Sequence, residues 1–204
     1  MNGPQIIEYA SCSLSYTPFE MKWVPMSTRL VVCGVNAKNQ GIINVLSLQD
    51  GKLNNLIKIE KNSGIKCSTF DASLYEARHL ATGTFNGELN IYDLSSAKQA
   101  IFSIKNAHKG IINCITGIGG LNIGYGAPEL CTGGRDGWVK VWDPRCHTHH
   151  VAALEPVIEQ PRDCWSVTFG NNFNQHERVV AAGYDNGDLK LLDLRMNKLI
   201  YEYN

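Results

Sequence analysis

The sequence predicts an all-β fold, a β-propeller segment of four blades with four strands each. Three observations carry this reading. First, Gly83, Gly133 and Gly183 stand fifty residues apart, as do Gly87, Gly137 and Gly187, and likewise Asp93, Asp143 and Asp193. Second, each unit centres on a turn (Asn86-Gly87, Asp136-Gly137 or Asn186-Gly187) followed by alternating apolar residues: Leu89 and Ile91, Val139 and Val141, Leu189 and Leu191. Third, no stretch shows the wider apolar spacing of a long amphipathic helix. A fixed repeat is read before any local motif because it sets the architecture. Asn-Gly and Asp-Gly admit the positive φ of hairpin turns, and period-two alternation gives antiparallel strands. Four such strands make a propeller blade.

The elements follow in order. Residues 1–14 hold one lone strand, IIEY at Ile6 to Tyr9; in a closed propeller such a strand completes the last blade. Blade 1, residues 15–61, takes its strands from MKWVP at Met21, RLVVCG ending at Gly34, GIINVLSL from Gly41 and LIKIE from Leu56. Blade 2, residues 62–105, opens with IKCSTF from Ile65, turns at Asn86-Gly87 and closes with AIFSI from Ala100. Blade 3, residues 106–155, carries LCTGGRDGWVKVWDP from Leu130. Blade 4, residues 156–204, runs from CWSVTF at Cys164 through VAAGYDNGDLKLLDL to LIYEY from Leu199.

Composition narrows the function classes. The chain has 204 residues, 19 basic and 19 acidic, for a net charge of zero. That balance lacks the broad basic field of a sequence-independent nucleic-acid binder. Seven cysteines with no C-x-x-C spacing argue against both a disulfide framework and a zinc knuckle. The start, MNGPQIIEYA, has no basic and apolar regions of a signal peptide. The longest uncharged stretch, between Lys109 and Glu129, contains six glycines and reads as a loop rather than a membrane span. A cytoplasmic protein with no membrane and no nucleic-acid partner is expected.

Trp142-Asp143 closes the third unit's turn-flanking strand, and His108 lies 34 residues before Trp142. This spacing resembles the WD-repeat family. The resemblance implies a buried bonded set of His, Ser or Thr, Asp and Trp, which falls here on His108, Asp136 and Trp142. The hydroxyl position aligns with Gly134, so an incomplete network is expected, and Ala107 stands where the family has Gly. The other units are poorer, with Asn86 and Tyr92, and Asn186 and Leu192. The run IINCITGIGGLNIGYGAPELCTGGRDGWVKVWDPR from Ile111 narrows the likeness, together with RDCWSVTFGN from Arg162, ERVVAAGYDNGDLKLLDLR from Glu177, PQII at Pro4 and KWVP at Lys22. These resemble the WD-repeat dynein axonemal assembly factors over essentially the whole chain, and about the first four blades of a seven-bladed protein. The resemblance implies a scaffold that binds prefoldin-like and chaperone complex subunits and dynein assembly clients, with some members tied to apoptosis.

Other motifs have plainer roles. The loop from Gly117 to Gly124 has neither G-x-G-x-x-G nor P-loop spacing, and it joins two strands. Cys146, His147, His149 and His150 crowd one loop, whereas a structural zinc site draws four ligands from separate segments. Cys164 follows Arg162-Asp163 but has no base placed beside it. No catalytic residue, cofactor or metal is therefore expected. The candidate protein-binding residues are Lys66, Lys109, Arg162, Asp163 and Trp165, at or before the first strand of their units. Asp143-Pro144-Arg145 and Asp193-Leu194-Arg195 resemble the D-x-R ends by which some WD-repeat receptors dock on a cullin ubiquitin-ligase adaptor. Arg145 and Arg195 are thus candidates for an alternative function. At fifty residues per unit the length supplies four blades. The remainder of the ring is expected to be missing or supplied by another chain, with exposed edges favouring association.

Overall fold

The computed structural model describes residues 6–96, 98–120, 124, 126–156, 161–170, 173–174 and 176–203. They form four antiparallel four-stranded sheets, each a meander of consecutive strands. Blade 1 contains β1 (Thr17–Trp23), β2 (Arg29–Val35), β3 (Gly41–Gln49) and β4 (Lys52–Lys61). Blade 2 contains β5 (Ile65–Thr69), β6 (His79–Thr84), β7 (Leu89–Asp93) and β8 (Phe102–Ile104). Blade 3 contains β9 (Ile112–Ile118), β10 (Glu129–Gly134), β11 (Val139–Trp142) and β12 (Ala152–Leu154). Blade 4 contains β13 (Cys164–Gly170), β14 (Val179–Tyr184), β15 (Leu189–Asp193) and β16 (Lys198–Tyr203). Among the described residues the only helical turn is a single 3-10 turn at Leu94–Ser96.

The repeat reaches the backbone bonds. In blades 2, 3 and 4 the amides of Thr84, Gly134 and Tyr184 donate to the carbonyls of Glu88, Trp138 and Asp188, at 3.1, 3.1 and 3.0 Å. The turn glycines alone take positive φ: 83° at Gly87, 78° at Gly137 and 95° at Gly187. Asn86, Asp136 and Asn186 do not share it. The loop is therefore a three-residue turn ending on a left-handed glycine, not a two-residue turn with both residues inverted. This releases the Asn and Asp side chains to bond elsewhere.

Apolar clusters lie between successive sheets. Val31, Ile43, Ile65 and Leu80 pack blade 1 on blade 2. Leu89, Ile112, Leu130 and Trp142 pack blade 2 on blade 3. Val139, Val141, Cys164 and Val180 pack blade 3 on blade 4. The glycines spaced fifty residues apart mark the crossings. A Cβ on Gly83 would lie 2.6 Å from Ile112 Cγ2, and one on Gly133 would lie 2.5 Å from Cys164 Sγ. In both cases the intruding atom belongs to the first strand of the next blade.

Ile6–Tyr9 differs from expectation. It forms no strand, and Ile6, Ile7 and Tyr9 are exposed. A strand is held by its neighbour's hydrogen bonds, and each of the four sheets already runs from its own first to its own fourth strand. The segment after it covers the outer face of blade 1 instead. Leu14 and Tyr16 pack against Leu30, Val32, Ile42 and Leu46, and Lys58 Nζ donates to Ser15 Oγ at 3.1 Å. Pro4 and Gln5 of the PQII motif, and Leu121, Asn122 and Ile123 of the glycine-rich loop, lie outside the described residues.

Candidate functional site

Two constellations emerge at the blade ends, one buried and one open. The buried one joins His108, Thr132, Asp136 and Trp142. Thr132 on β10 sits opposite Lys140 on β11, with its hydroxyl turned inward. Trp142 Nε1 donates to Thr132 Oγ1 at 2.8 Å. Thr132 Oγ1 and His108 Nε2 are 2.8 Å apart, and His108 Nδ1 and Asp136 Oδ1 are also 2.8 Å apart. One proton assignment satisfies every member. The indole donates to the hydroxyl, the hydroxyl to Nε2, and Nδ1–H to the carboxylate, with the imidazole neutral.

This network is complete, which corrects the expectation that Gly134 leaves it short of a hydroxyl. Residues 132 and 134 share a strand face, and the hydroxyl comes from the earlier one. Position 134 must remain empty, because a Cβ there would lie 2.3 Å from His108 Nδ1 and 2.5 Å from Asp136 Oδ1. In blade 2 the later position is the one used: Thr84 Oγ1 donates to Asn86 Oδ1 at 2.6 Å. The family's hydroxyl position was thus placed on the wrong residue in blade 3, and Thr132, two positions earlier on the same strand and fifty after Thr82, is the one that fills it.

Electrostatics agree with a neutral imidazole. Burial pushes the His108 pKa below its ordinary value, against the opposing pull of Asp136. Burial would raise Asp136, but the bonds from His108, Lys109 N and Trp138 N outweigh it and hold the carboxyl low. Lys140 Nζ donates to Ala107 O at 2.6 Å and lies over the Trp138 ring. His150 meets the Trp142 edge at 5.8 Å. His147 instead packs against Phe102 at 5.2 Å. The histidines of the Cys146 loop therefore diverge, and only His149 lies beside the thiol, 3.7 Å from it.

The open constellation was not foreseen as a unit. Each first strand carries a β-bulge where its register against the second strand slips. The slips fall between Pro18 and Glu20, Ile65 and Cys67, and Cys164 and Ser166, and in blade 3 between the partners of Gly133 and Gly134. The extra residues are Phe19, Lys66, Trp165 and Asn113. Bulges re-aim side chains, and here they bring Phe19, Lys66 and Trp165 together, while the buried Asn113 ties its blade to the next. Lys66 Nζ lies 4.7 Å from the Phe19 ring centroid and 5.8 Å from that of Trp165. Phe19 meets Phe85 edge-on at 5.3 Å, and Asn113 Nδ2 donates to Cys164 O at 3.1 Å. Trp165 is 52% exposed and Phe19 40% exposed, so the cluster presents aromatic area and an ammonium to solvent.

The remaining candidates flank these groups. Arg162 and Lys109 are exposed on the incoming loops, and the Lys109 amide donates to Asp136. Asp163 uses its carbonyl to accept from Asp185 N at 3.0 Å. Arg145 and Arg195 lie one blade apart, each with its amide on an Asp two residues back: Asp143 at 2.9 Å and Asp193 at 2.8 Å. The Arg145 guanidinium is also clasped by Asp143, at 2.6 Å. Arg195 lines a recess of about 340 Å³ between blades 3 and 4 with Glu129 and Arg178. Among the described residues no helix is long and apolar enough to cross a membrane.

Four four-stranded blades with a bonded His-Thr-Trp-Asp set define a β-propeller of the WD-repeat class. The crystal structure of Saccharomyces cerevisiae Sqt1 shares this fold, with a TM-score of 0.64 at 12% identity, over 93% of this chain and 63% of that one. By sequence, the chain is 53% identical over 202 residues to dynein axonemal assembly factor 10 of Bos taurus, and 52% identical to that of Homo sapiens. It is 48% identical over 204 residues to the protein of the same name in Chlamydomonas reinhardtii. These alignments cover 98–100% of the chain, which spans 56–57% of the relatives' length. No protein-family profile matches.

Proposed function

We propose that the chain is a non-catalytic protein-interaction scaffold serving the cytoplasmic preassembly of axonemal dyneins, as an adaptor of a prefoldin-like co-chaperone complex. The observation that carries this reading is the identity of about half the residues, along the whole chain, to relatives named as dynein axonemal assembly factors. The geometry supports it in kind. Trp and Arg dominate the energetics of protein interfaces, and the bulge cluster offers Trp165, Phe19 and Lys66 together, beside the exposed Arg162. Phe19, Lys66 and Trp165 sit on strand residues of three blades rather than on loops.

The test is affinity capture of the tagged chain from an extract of ciliated cells, followed by mass spectrometry. Dynein chains and prefoldin-like subunits are expected in the wild-type eluate and depleted at least several-fold with Lys66→Glu and Trp165→Ala combined. Recovery of the same proteins by the double variant would remove the bulge cluster from the reading. Recovery of a cullin adaptor instead, lost with Arg145→Ala and Arg195→Ala, would replace the reading with a ubiquitin-ligase receptor. The clasp of Asp143 on Arg145 already fills one of the forks that receptor would need.

A further inference from the structure

Where one blade meets the next, the glycine of the second strand leaves a gap into which two side chains project. One comes from the first strand of the same blade and the other from the first strand of the following blade. Under Gly83 the two are Cys67 and Ile112, whose Sγ and Cγ2 lie 2.7 and 2.6 Å from the point a Cβ would occupy. Under Gly133 they are Cys114 and Cys164. Their sulfurs lie 2.7 and 2.5 Å from that point, hence no more than 5.2 Å apart. The repeat thus places two thiols from adjacent blades at one crossing, and the missing side chain of Gly133 leaves them room to close.

We propose that Cys114 and Cys164 form a peroxide-driven disulfide that covalently joins blades 3 and 4. The two thiols differ in access: Cys164 is fully buried and Cys114 is partly open. Cys114 is therefore the more accessible of the two residues to a small oxidant. A peroxide takes two electrons from the Cys114 thiol to give a sulfenic acid and one water. Cys164 sulfur then attacks Cys114 sulfur, the S–O bond breaks, and the hydroxyl leaves as a second water with the Cys164 proton. Two thiols and one hydrogen peroxide give one disulfide and two waters. Closing the gap needs a side-chain rotation of each cysteine into the space over Gly133, bringing the sulfurs to about 2.05 Å. Cys114 Sγ already lies 3.9 Å from the Cys164 carbonyl, so the Cys114 side chain reaches across to the neighbouring blade at this crossing.

The experiment treats the reduced, native full chain with equimolar hydrogen peroxide, blocks remaining thiols, and maps peptides by mass spectrometry. The expected product is a Cys114–Cys164 crosslinked peptide, two hydrogens lighter than the sum of its parts. It should come with a raised unfolding midpoint that dithiothreitol reverses. Cys67→Ser should leave the crosslink intact, whereas Cys164→Ser should leave a sulfenic acid on Cys114 that dimedone labels. If Cys114 and Cys164 both stay alkylatable while exposed Cys12 is oxidised in the same sample, the proposal fails. A dominant link from Cys114 to Cys67 or Cys131 would overturn it equally.

Discussion

At the scale of single residues, Thr132 is the hinge of the buried network because it both accepts and donates. Thr132→Ala strips the indole N–H and the imidazole Nε2 of their partner at once, inside the core. Leaving buried polar groups unsatisfied costs roughly 1–3 kcal/mol, and a matching loss is expected in the urea unfolding midpoint. Thr132→Ser keeps the hydroxyl and should recover most of it. Asp136→Ala removes the acceptor of His108 Nδ1–H and of Lys109 N, with a similar expected cost.

The neutral His108 also gives stability a pH dependence of fixed sign. Its folded pKa lies below its ordinary value, so the unfolded chain takes up the proton first. As pH falls below about 6.5, unfolding is favoured by up to about 1.4 kcal/mol per pH unit until the folded form protonates too. Asp136, also lowered, adds a loss of the same sign at more acidic pH. Urea unfolding of the wild type between pH 7.5 and 5.5 should therefore fall more steeply than that of His108→Gln. Parallel curves would mean that His108 is not held neutral.

At the scale of elements, the landmarks that repeat every fifty residues were legible because they answer to the backbone. Gly87, Gly137 and Gly187 are needed where φ is positive, and Gly83 and Gly133 where the next blade crosses. Lys66 and Trp165 were legible as candidates by residue type and place, but not as partners. Their meeting depends on a one-residue slip in register, which repeats in every unit and so leaves the period unchanged. Thr132 was missed for a related reason. Thr82 stands fifty residues before Thr132 and Thr84 fifty before Gly134, so the interval alone does not say which hydroxyl on the strand face reaches the histidine. The lone N-terminal strand expected at IIEY does not form, because a strand depends on a neighbour's hydrogen bonds that the residue types alone do not supply. Within this chain the adjoining residues pack as a cover over blade 1.

At the scale of the whole molecule, the outer face and edge of blade 4 stand open. Leu189 is 43% exposed, Tyr201 50% and Tyr203 63%. Gly187 has nothing within 4 Å of a Cβ position, whereas its counterparts Gly87 and Gly137 are covered by His108 O and by Pro156 and Arg162. Contiguous apolar surface beside an unpaired strand edge promotes association. The isolated chain is expected to sediment with a weight-average mass that rises with concentration. Tyr201→Lys with Tyr203→Lys should reduce that rise, and a concentration-independent monomer for the wild type would contradict the expectation.

Coverage of each turn by the unit after it gives the fold a direction in time. Gly87 waits for His108 and Gly83 for Ile112; Gly137 waits for Arg162 and Gly133 for Cys164. A ribosome adding about 5–20 residues per second needs roughly 3–10 s to make one more unit. During those seconds the newest blade has its strands but not its cover. Its apolar ridge then stays open until the incoming first strand of the next unit closes over it.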